Sequence, residues 1–183
     1  MNGIRTTPVR RAIAFQCTAN ELCGSKCFAM CDNLPVNNEE IDRRVRAAVY
    51  DVTMREGFPP LSTRVANELQ IDASESLASF RRLADARMLV VQRDSGEILM
   101  ANPFSAVPTP FAVNANGLSC YGNCIWDALG IPAMLNCDAD VDTSCADCGT
   151  SARVRVQDGR VIGEGLMHFA IPARSWWKDI VFN

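Results

Sequence analysis

The sequence predicts an α+β protein in which a three-helix, winged-helix-like module precedes a mixed or antiparallel β-sheet core. Three observations support this. Between residues 39 and 87, apolar residues recur at helical spacing. After residue 88, short β-rich runs alternate with turn sequences. One apolar segment in that second half, 124–130, has the length of a single short helix. Helices followed by strands are typical of an α+β arrangement.

The 183 residues suffice for a small helical module and a larger domain. We divide them into a cysteine-rich extension (1–38), a winged-helix-like module (39–100) and a core (101–183). In the extension, cysteines spaced four apart would form one face of a helix, which could bind a soft metal or mediate dimerisation through a shared ion. A helix face packed on the body of the protein, or a misassigned start codon upstream of Met30, is the more ordinary explanation. The cysteines are Cys17, Cys23, Cys27 and Cys31.

The module's three helices are predicted from their apolar faces and end signals. Glu39 opens the first helix, where an acid is favoured, and the run Gly57–Pro60 ends it. Ser62 is the predicted N-cap of the second helix, and Ser74 or Ser76 that of the third. The hairpin that follows completes the winged-helix order.

The rest of the chain is predicted as short strands interrupted by one helix. That helix runs from Cys124 to Gly130, where Gly130 and then Pro132 end it. The predicted strands are 88–92 and 97–100, paired as a hairpin; Pro-punctuated strands within 102–113; 152–157 and 160–162, paired around Asp158-Gly159; and 165–171.

Composition narrows the functional classes. A net charge of -3 shows no overall basic excess, so nucleic acid is not an expected partner. No apolar run reaches the roughly 18–20 residues that cross a bilayer. The apolar stretch near the start of the sequence is too short for the core of a signal peptide. We therefore expect a cytoplasmic protein with no membrane association.

The nine cysteines are the main chemical signal. Cysteines of cytosolic proteins stay reduced and more often bind metals or catalyse reactions than form disulfides. Because His168 is the single histidine, a site needing two histidines from one chain is excluded. If the chain handles a metal, thiolates indicate a thiophilic one.

Cys124 and Asp127 are the candidate reactive pair. Three residues apart on a helix, the thiol and the carboxyl group would share a face. A position near a helix N-terminus predicts a lowered cysteine pKa, and the acid would lie within proton-transfer range. A buried small residue beside a first-turn acid would give the same pattern, so the spacing alone does not decide.

A second candidate site is Cys145-x-x-Cys148, with Cys137 upstream. A structural zinc ion needs about four ligands, and a single C-x-x-C supplies half of them. Cys137 would be a third ligand, and the sequence shows no convincing fourth. The alternatives are reduced thiols without a metal and a site that captures or relays mercury.

Longer stretches of the chain resemble the alkylmercury (organomercurial) lyase family over about residues 39–183. The resemblance is carried by Asn102-Pro103-Phe104-Ser105 through Phe111, Asn123–Ala133, Cys145–Gly149, Val154–Gly159, His168–Pro172 and Trp176–Ile180. It implies that two cysteines and an acid cleave a carbon–mercury bond, giving a hydrocarbon and mercury(II), with no cofactor required. It also implies an organomercurial substrate, and cellular thiols or a mercuric reductase as acceptors of the product.

The same resemblance assigns residues. Cys124 matches the family's first cysteine and Asp127 its acid, while Trp126 and Phe104 are expected to line the substrate pocket. The family's second cysteine follows the segment resembling 176–182, whereas this sequence ends at Asn183. We therefore expect a C-terminally truncated, impaired lyase in which Cys120 is the candidate substitute thiol.

Two other hypotheses remain at this stage. A thiol-based mercury or metal sensor would use the winged helix to bind DNA. The second helix of its helix-turn-helix pattern carries Arg81, Arg82 and Arg87, although nearby acidic residues reduce the positive charge. A nonfunctional remnant would keep only a stable helical module. Six aromatic residues are expected in the core or the pocket wall: Phe104, Phe111, Trp126, Phe169, Trp176 and Trp177.

Overall fold

A computed structural model describes residues 37–169 and 171–181, so the predictions for Cys17, Cys23, Cys27 and Cys31 lie outside the described residues. The α+β class is confirmed: helices come first and antiparallel sheets follow. The helices are α1 (Asn38–Glu56), α2 (Ser62–Leu69), α3 (Ala73–Asp85) and α4 (Ile125–Leu135). The strands are β1 (Val90–Val91), β2 (Ile98–Ala101), β3 (Phe104–Ser105), β4 (Ala112–Ala115), β5 (Leu118–Tyr121), β6 (Ala139–Ser144), β7 (Ser151–Gln157) and β8 (Arg160–Ile162).

The first three helices and β1–β2 enclose one hydrophobic core. An ion-pair network fastens α1 to α3, because the Arg82 guanidinium donates to both Asp42 and Glu75 and Ser79 donates to Asp42 at 2.6 Å. The winged-helix assignment of this module stays a prediction. The buried members of this core are Val45, Ala48, Val49, Val65, Phe80, Leu83, Leu89, Ile98 and Ala101.

The helix caps differ from those expected. Ser62 is the first residue of α2, and the cap comes from Glu97, whose carboxylate accepts from the Ser62 N–H and hydroxyl, both at 2.7 Å. Neither Ser74 nor Ser76 caps α3; Asp72 precedes it without a side-chain cap bond, and Ser76 is buried inside the helix. The start of α2 is therefore capped by the carboxylate of Glu97, from the β1–β2 hairpin, and not by the Ser62 hydroxyl that the sequence predicted.

Two antiparallel sheets follow in the orders β1-β2-β3 and β5-β4-β6-β7-β8. Both predicted hairpins are present, β1 with β2 and β7 with β8. In the second, Asp158 and Gly159 have φ values of 51° and 70°, which a tight two-residue hairpin turn needs. The strand predicted at 165–171 is wrong for the residues that the structure describes in this range: 163–169 has no regular structure, and β8 is the last described strand of the sheet. The sequence reading also missed β6, the central strand.

The helical module packs directly on the second sheet. The Tyr50 hydroxyl of α1 donates to the Asn102 carbonyl at 2.8 Å, and the Tyr50 ring contacts both hydrophobic cores. Gly57, which ends α1 with a φ of 87°, lies so close to β5 that a Cβ there would be 2.1 Å from the Ser119 carbonyl oxygen. This contact fixes α1 against the strand that leads to the candidate site.

The final described segment contains a 3-10 turn, Ala173–Lys178. The Trp176 indole donates to the Ile171 carbonyl at 2.8 Å, and the Trp177 ring stacks under the Arg87 guanidinium at 5.7 Å. Three of the six aromatic residues expected in the core or the pocket wall lie outside the core: Phe169, Trp177 and Trp126 have exposed fractions of 36%, 39% and 63%. Their place in a pocket wall stays a prediction. Phe104 is fully buried.

Candidate active site at the start of α4

The candidate site lies where β5 turns into α4. Gly122 directly follows β5 and pairs as an isolated bridge with Phe104, while its N–H donates to the Phe111 carbonyl at 3.0 Å. A Cβ on Gly122 would lie 2.5 Å from the Ala128 nitrogen, so only glycine lets the strand end approach the first turn of α4 this closely. This approach sets the position of the helix start.

Cys124 is the N-cap of α4, in an extended conformation with φ -146° and ψ 179°. Its carbonyl accepts the first helical bond, from Ala128, at 2.9 Å. The helix continues past the predicted end at Gly130, to Leu135, with Pro132 inside it. The Pro132 ring is fully buried, so its packing compensates for the backbone hydrogen bond that proline cannot donate.

Cys124 and Asp127 lie side by side. The Cys124 thiol donates to the Asp127 carboxylate with an Sγ–Oδ2 distance of 3.7 Å, and both residues are partly buried. The spacing of three residues thus brings a thiol and an acid together in the first turn of one helix. A proton can pass between them without rearrangement of the backbone.

Burial determines the pKa of both groups. It raises the pKa of the Cys124 thiol, whereas the sequence predicted a lowered pKa at a helix N-terminus. The backbone N–H groups of Asp127 and Trp126 favour the thiolate, but the effect of burial is larger. Burial also raises the pKa of Asp127, opposed by hydrogen bonds from Asn123 and Cys124. Both groups therefore retain protons more readily than free side chains, which suits a site that delivers a proton.

Asn123 connects this turn to the segment before β3, and the sequence reading gave it no role. Its Nδ2 donates to the Asn102 side-chain oxygen at 3.1 Å and to the Pro103 carbonyl at 3.2 Å. Its own Oδ1 is buried without a hydrogen-bond partner in the described part of the chain. A polar residue immediately before a helix N-cap was the available sequence signal.

Cys120, the candidate substitute thiol, lies on β5 in the second hydrophobic core. Only 4% of it is exposed, and burial raises its pKa to about 11. A thiolate is strongly disfavoured there at neutral pH. The environment of Cys120 therefore argues against a role as the second mercury ligand.

The two expected pocket residues have different surroundings. Phe104 packs in the second core with Ala128 and Ile131 of α4, beneath the site. Trp126 projects into solvent from the first turn, beside the Cys124–Asp127 pair. Cys124 lines neither of two cavities, of about 310 and 200 Å³, found elsewhere on the described surface.

The three-cysteine metal site is not assembled. Cys137 packs against the second core, whereas Cys145 and Cys148 are exposed in the loop between β6 and β7. Among residues 37–169 and 171–181, no group of three or more His, Cys, Asp or Glu side chains could hold a metal ion. The prediction of a zinc site with Cys137 as third ligand is therefore wrong within these residues.

The chain is similar to known proteins in part of its sequence and in its fold. Residues 104–182, which include Cys124 and Asp127, match the family model described as alkylmercury lyase, MerB. The fold resembles a solved structure described as the mercury-bound form of MerB2, with a TM-score of 0.51 and 20% identity. That likeness covers 68% of this chain and 64% of MerB2, so the chain spans less than two thirds of that protein. No curated protein sequence matches the chain.

Proposed function

We propose that this MerB-like chain is an organomercurial lyase that breaks carbon–mercury bonds by protonolysis and so contributes to mercury detoxification. The observation that carries the proposal is the thiol-to-carboxylate contact of 3.7 Å between Cys124 and Asp127 at the start of α4. No helix of the described residues has the length and apolarity to cross a membrane. A chain rich in reduced thiols fits a reducing compartment, and we place it in the cytoplasm.

The first step is capture of the organomercurial cation. The Cys124 sulfur forms a bond to mercury and loses its proton to the Asp127 carboxylate, which already accepts the S–H. Mercury is a soft metal that prefers sulfur ligands, so this exchange is favourable even though burial raises the pKa of the thiol.

The second step breaks the carbon–mercury bond. Protonated Asp127 gives its proton to the mercury-bound carbon, the electron pair of the carbon–mercury bond becomes the new carbon–hydrogen bond, and the hydrocarbon leaves. Mercury(II) stays on Cys124. Burial raises the pKa of Asp127, which keeps the proton available for this transfer.

A second thiolate is needed to donate electrons to mercury and to complete its coordination. Cys120 is poorly suited because it is buried and its pKa is raised to about 11. We infer that a thiol from outside the protein, such as a cellular monothiol, serves as the second mercury ligand. Cellular thiols or a mercuric reductase would then remove the mercury(II).

The test is benzene release from phenylmercury by the full chain with excess monothiol. Cys124→Ser should abolish release, because no thiol next to Asp127 then holds the substrate. Asp127→Asn should still form the phenylmercury adduct, visible by intact mass, but release benzene about 10²–10⁴-fold more slowly. Cys137→Ser, which alters a thiol away from the pair, is the matched control. Equal release by all four proteins would refute the proposal.

We do not favour the sensor hypothesis, because two of the three arginines that it assigns to DNA are engaged within the protein. In α3, Arg82 is already paired with Asp42 and Glu75. Just after the helix, Arg87 is stacked on Trp177. The lyase proposal uses the described geometry more directly.

A further inference from the structure

A second pair of thiols lies outside the candidate active site, at the tip of the β6–β7 hairpin. The loop is closed by two backbone bonds of 2.9 Å, from Cys145 N–H to the Thr150 carbonyl and from Gly149 N–H to the Cys145 carbonyl. Gly149, with a φ of 70°, permits the tight return of the chain. In the closed turn Cys145 and Cys148 are both exposed to solvent, and their side chains lie within hydrogen-bond distance of each other.

The environment of Cys148 favours its ionised form. The Thr150 hydroxyl lies 3.1 Å from the Cys148 sulfur, and the Thr150 N–H and the Cys145 thiol also donate to it. These hydrogen bonds lower the pKa of Cys148 to about 7, the Thr150 hydroxyl contributing most. The Cys148 sulfur is thus exposed to solvent beside a second thiol, and sulfur is the ligand that a soft metal ion prefers.

The number of ligands selects the kind of ion. No third histidine, cysteine or carboxylate joins the pair in the described residues, which does not suit tetrahedral zinc. A soft ion satisfied by two sulfurs fits an exposed dithiol, and mercury(II) is such an ion. The choice of mercury rests on the proposed function, which releases this ion, whereas the geometry of the pair does not depend on it.

We propose that Cys145 and Cys148 form a second mercury(II) site, which holds the ion as a bis-thiolate at the hairpin tip. Binding forms two sulfur–mercury bonds and releases the remaining thiol protons to solvent, with no oxidation or reduction. Because the second thiol binds intramolecularly, the pair should hold mercury about 10²–10⁴-fold more tightly than a single cysteine.

The test measures mercury protection of each cysteine in the full chain carrying Cys124→Ser, which removes the proposed lyase chemistry. The protein is reduced, separated from the reductant, mixed with one equivalent of mercuric chloride without added thiol, and then alkylated with iodoacetamide. Peptide mass spectrometry reports each thiol separately, including those of the extension. We expect Cys145 and Cys148 to be protected together, and protection of Cys145 to fall about 100-fold when Cys148→Ser is added.

Three outcomes would overturn the inference. Equal alkylation of Cys145 with and without mercury would show that the pair does not hold the ion. Protection without mercury, with a peptide mass lower by two hydrogens, would indicate a disulfide instead. Unchanged protection of Cys145 in the Cys148→Ser chain would show that the two thiols do not act together. Each result is independent of benzene release, so the lyase proposal can fail or stand separately.

Discussion

Gly122 offers a direct test of how the fold positions Cys124 and Asp127. In Gly122→Ala, the new Cβ would lie 2.5, 2.7 and 2.9 Å from the nitrogen, Cα and Cβ of Ala128. Two of these atoms are backbone, so rotation of a side chain cannot relieve the clash. Ordinary contact begins at 3.4 Å, which requires the start of α4 to move by about 0.9 Å from the present 2.5 Å.

That displacement has two measurable consequences. Overpacking of this kind typically costs about 1–3 kcal/mol, which urea unfolding would report. A shift of about 1 Å in a reacting group lowers turnover by about 10²-fold, so benzene release per folded molecule should fall accordingly. Capture of phenylmercury by Cys124 should persist, because it needs only the thiol.

Gly130→Ala is the matched control, since a Cβ at Gly130 meets no atom within 4 Å. Gly130 lies inside α4, so alanine should stabilise the protein by up to about 1 kcal/mol and leave benzene release unchanged. A Gly122→Ala protein that is as stable and as active as the unaltered chain would refute the claim that this close approach positions the site.

Two further predictions concern pH. Burial raises the pKa of Asp127, so the folded state binds its proton more tightly than the unfolded chain, and this contribution to stability is lost as pH rises above about 4 through the folded-state pKa. Asp127→Asn should therefore melt at a higher temperature than the unaltered chain at pH 8 and at a similar one at pH 4; a lower melting temperature at pH 8 would contradict this. Burial alone would raise the pKa of Asp42, but hydrogen bonds from Arg82 and Ser79 lower it overall, so its contribution is present above about pH 4 and is lost as pH falls through the lowered pKa. Asp42→Asn should cost about 1–2 kcal/mol in urea unfolding at pH 7 and much less at pH 3, and a cost that is the same at both would count against the ion-pair explanation.

The sequence by itself determined the features that depend on neighbours along the chain. Helical periodicity located α1–α3, and the Asp158-Gly159 pair fixed the β7–β8 turn because both residues accept a positive φ. The spacing of Cys124 and Asp127 predicted their proximity, since the side chains of an N-cap residue and of the third residue after it lie close together at the start of a helix.

Tertiary structure decided what depends on residues distant in sequence. Burial raises the pKa of Cys124, whereas the helix N-terminus alone predicted a lowered value. Glu97, from a hairpin 35 residues away, caps α2 in place of a local serine. Pro132 stays within α4 because its ring is buried. Desolvation, long-range capping and close packing, as at Gly122, arise only when separate elements meet, so local sequence patterns do not contain them.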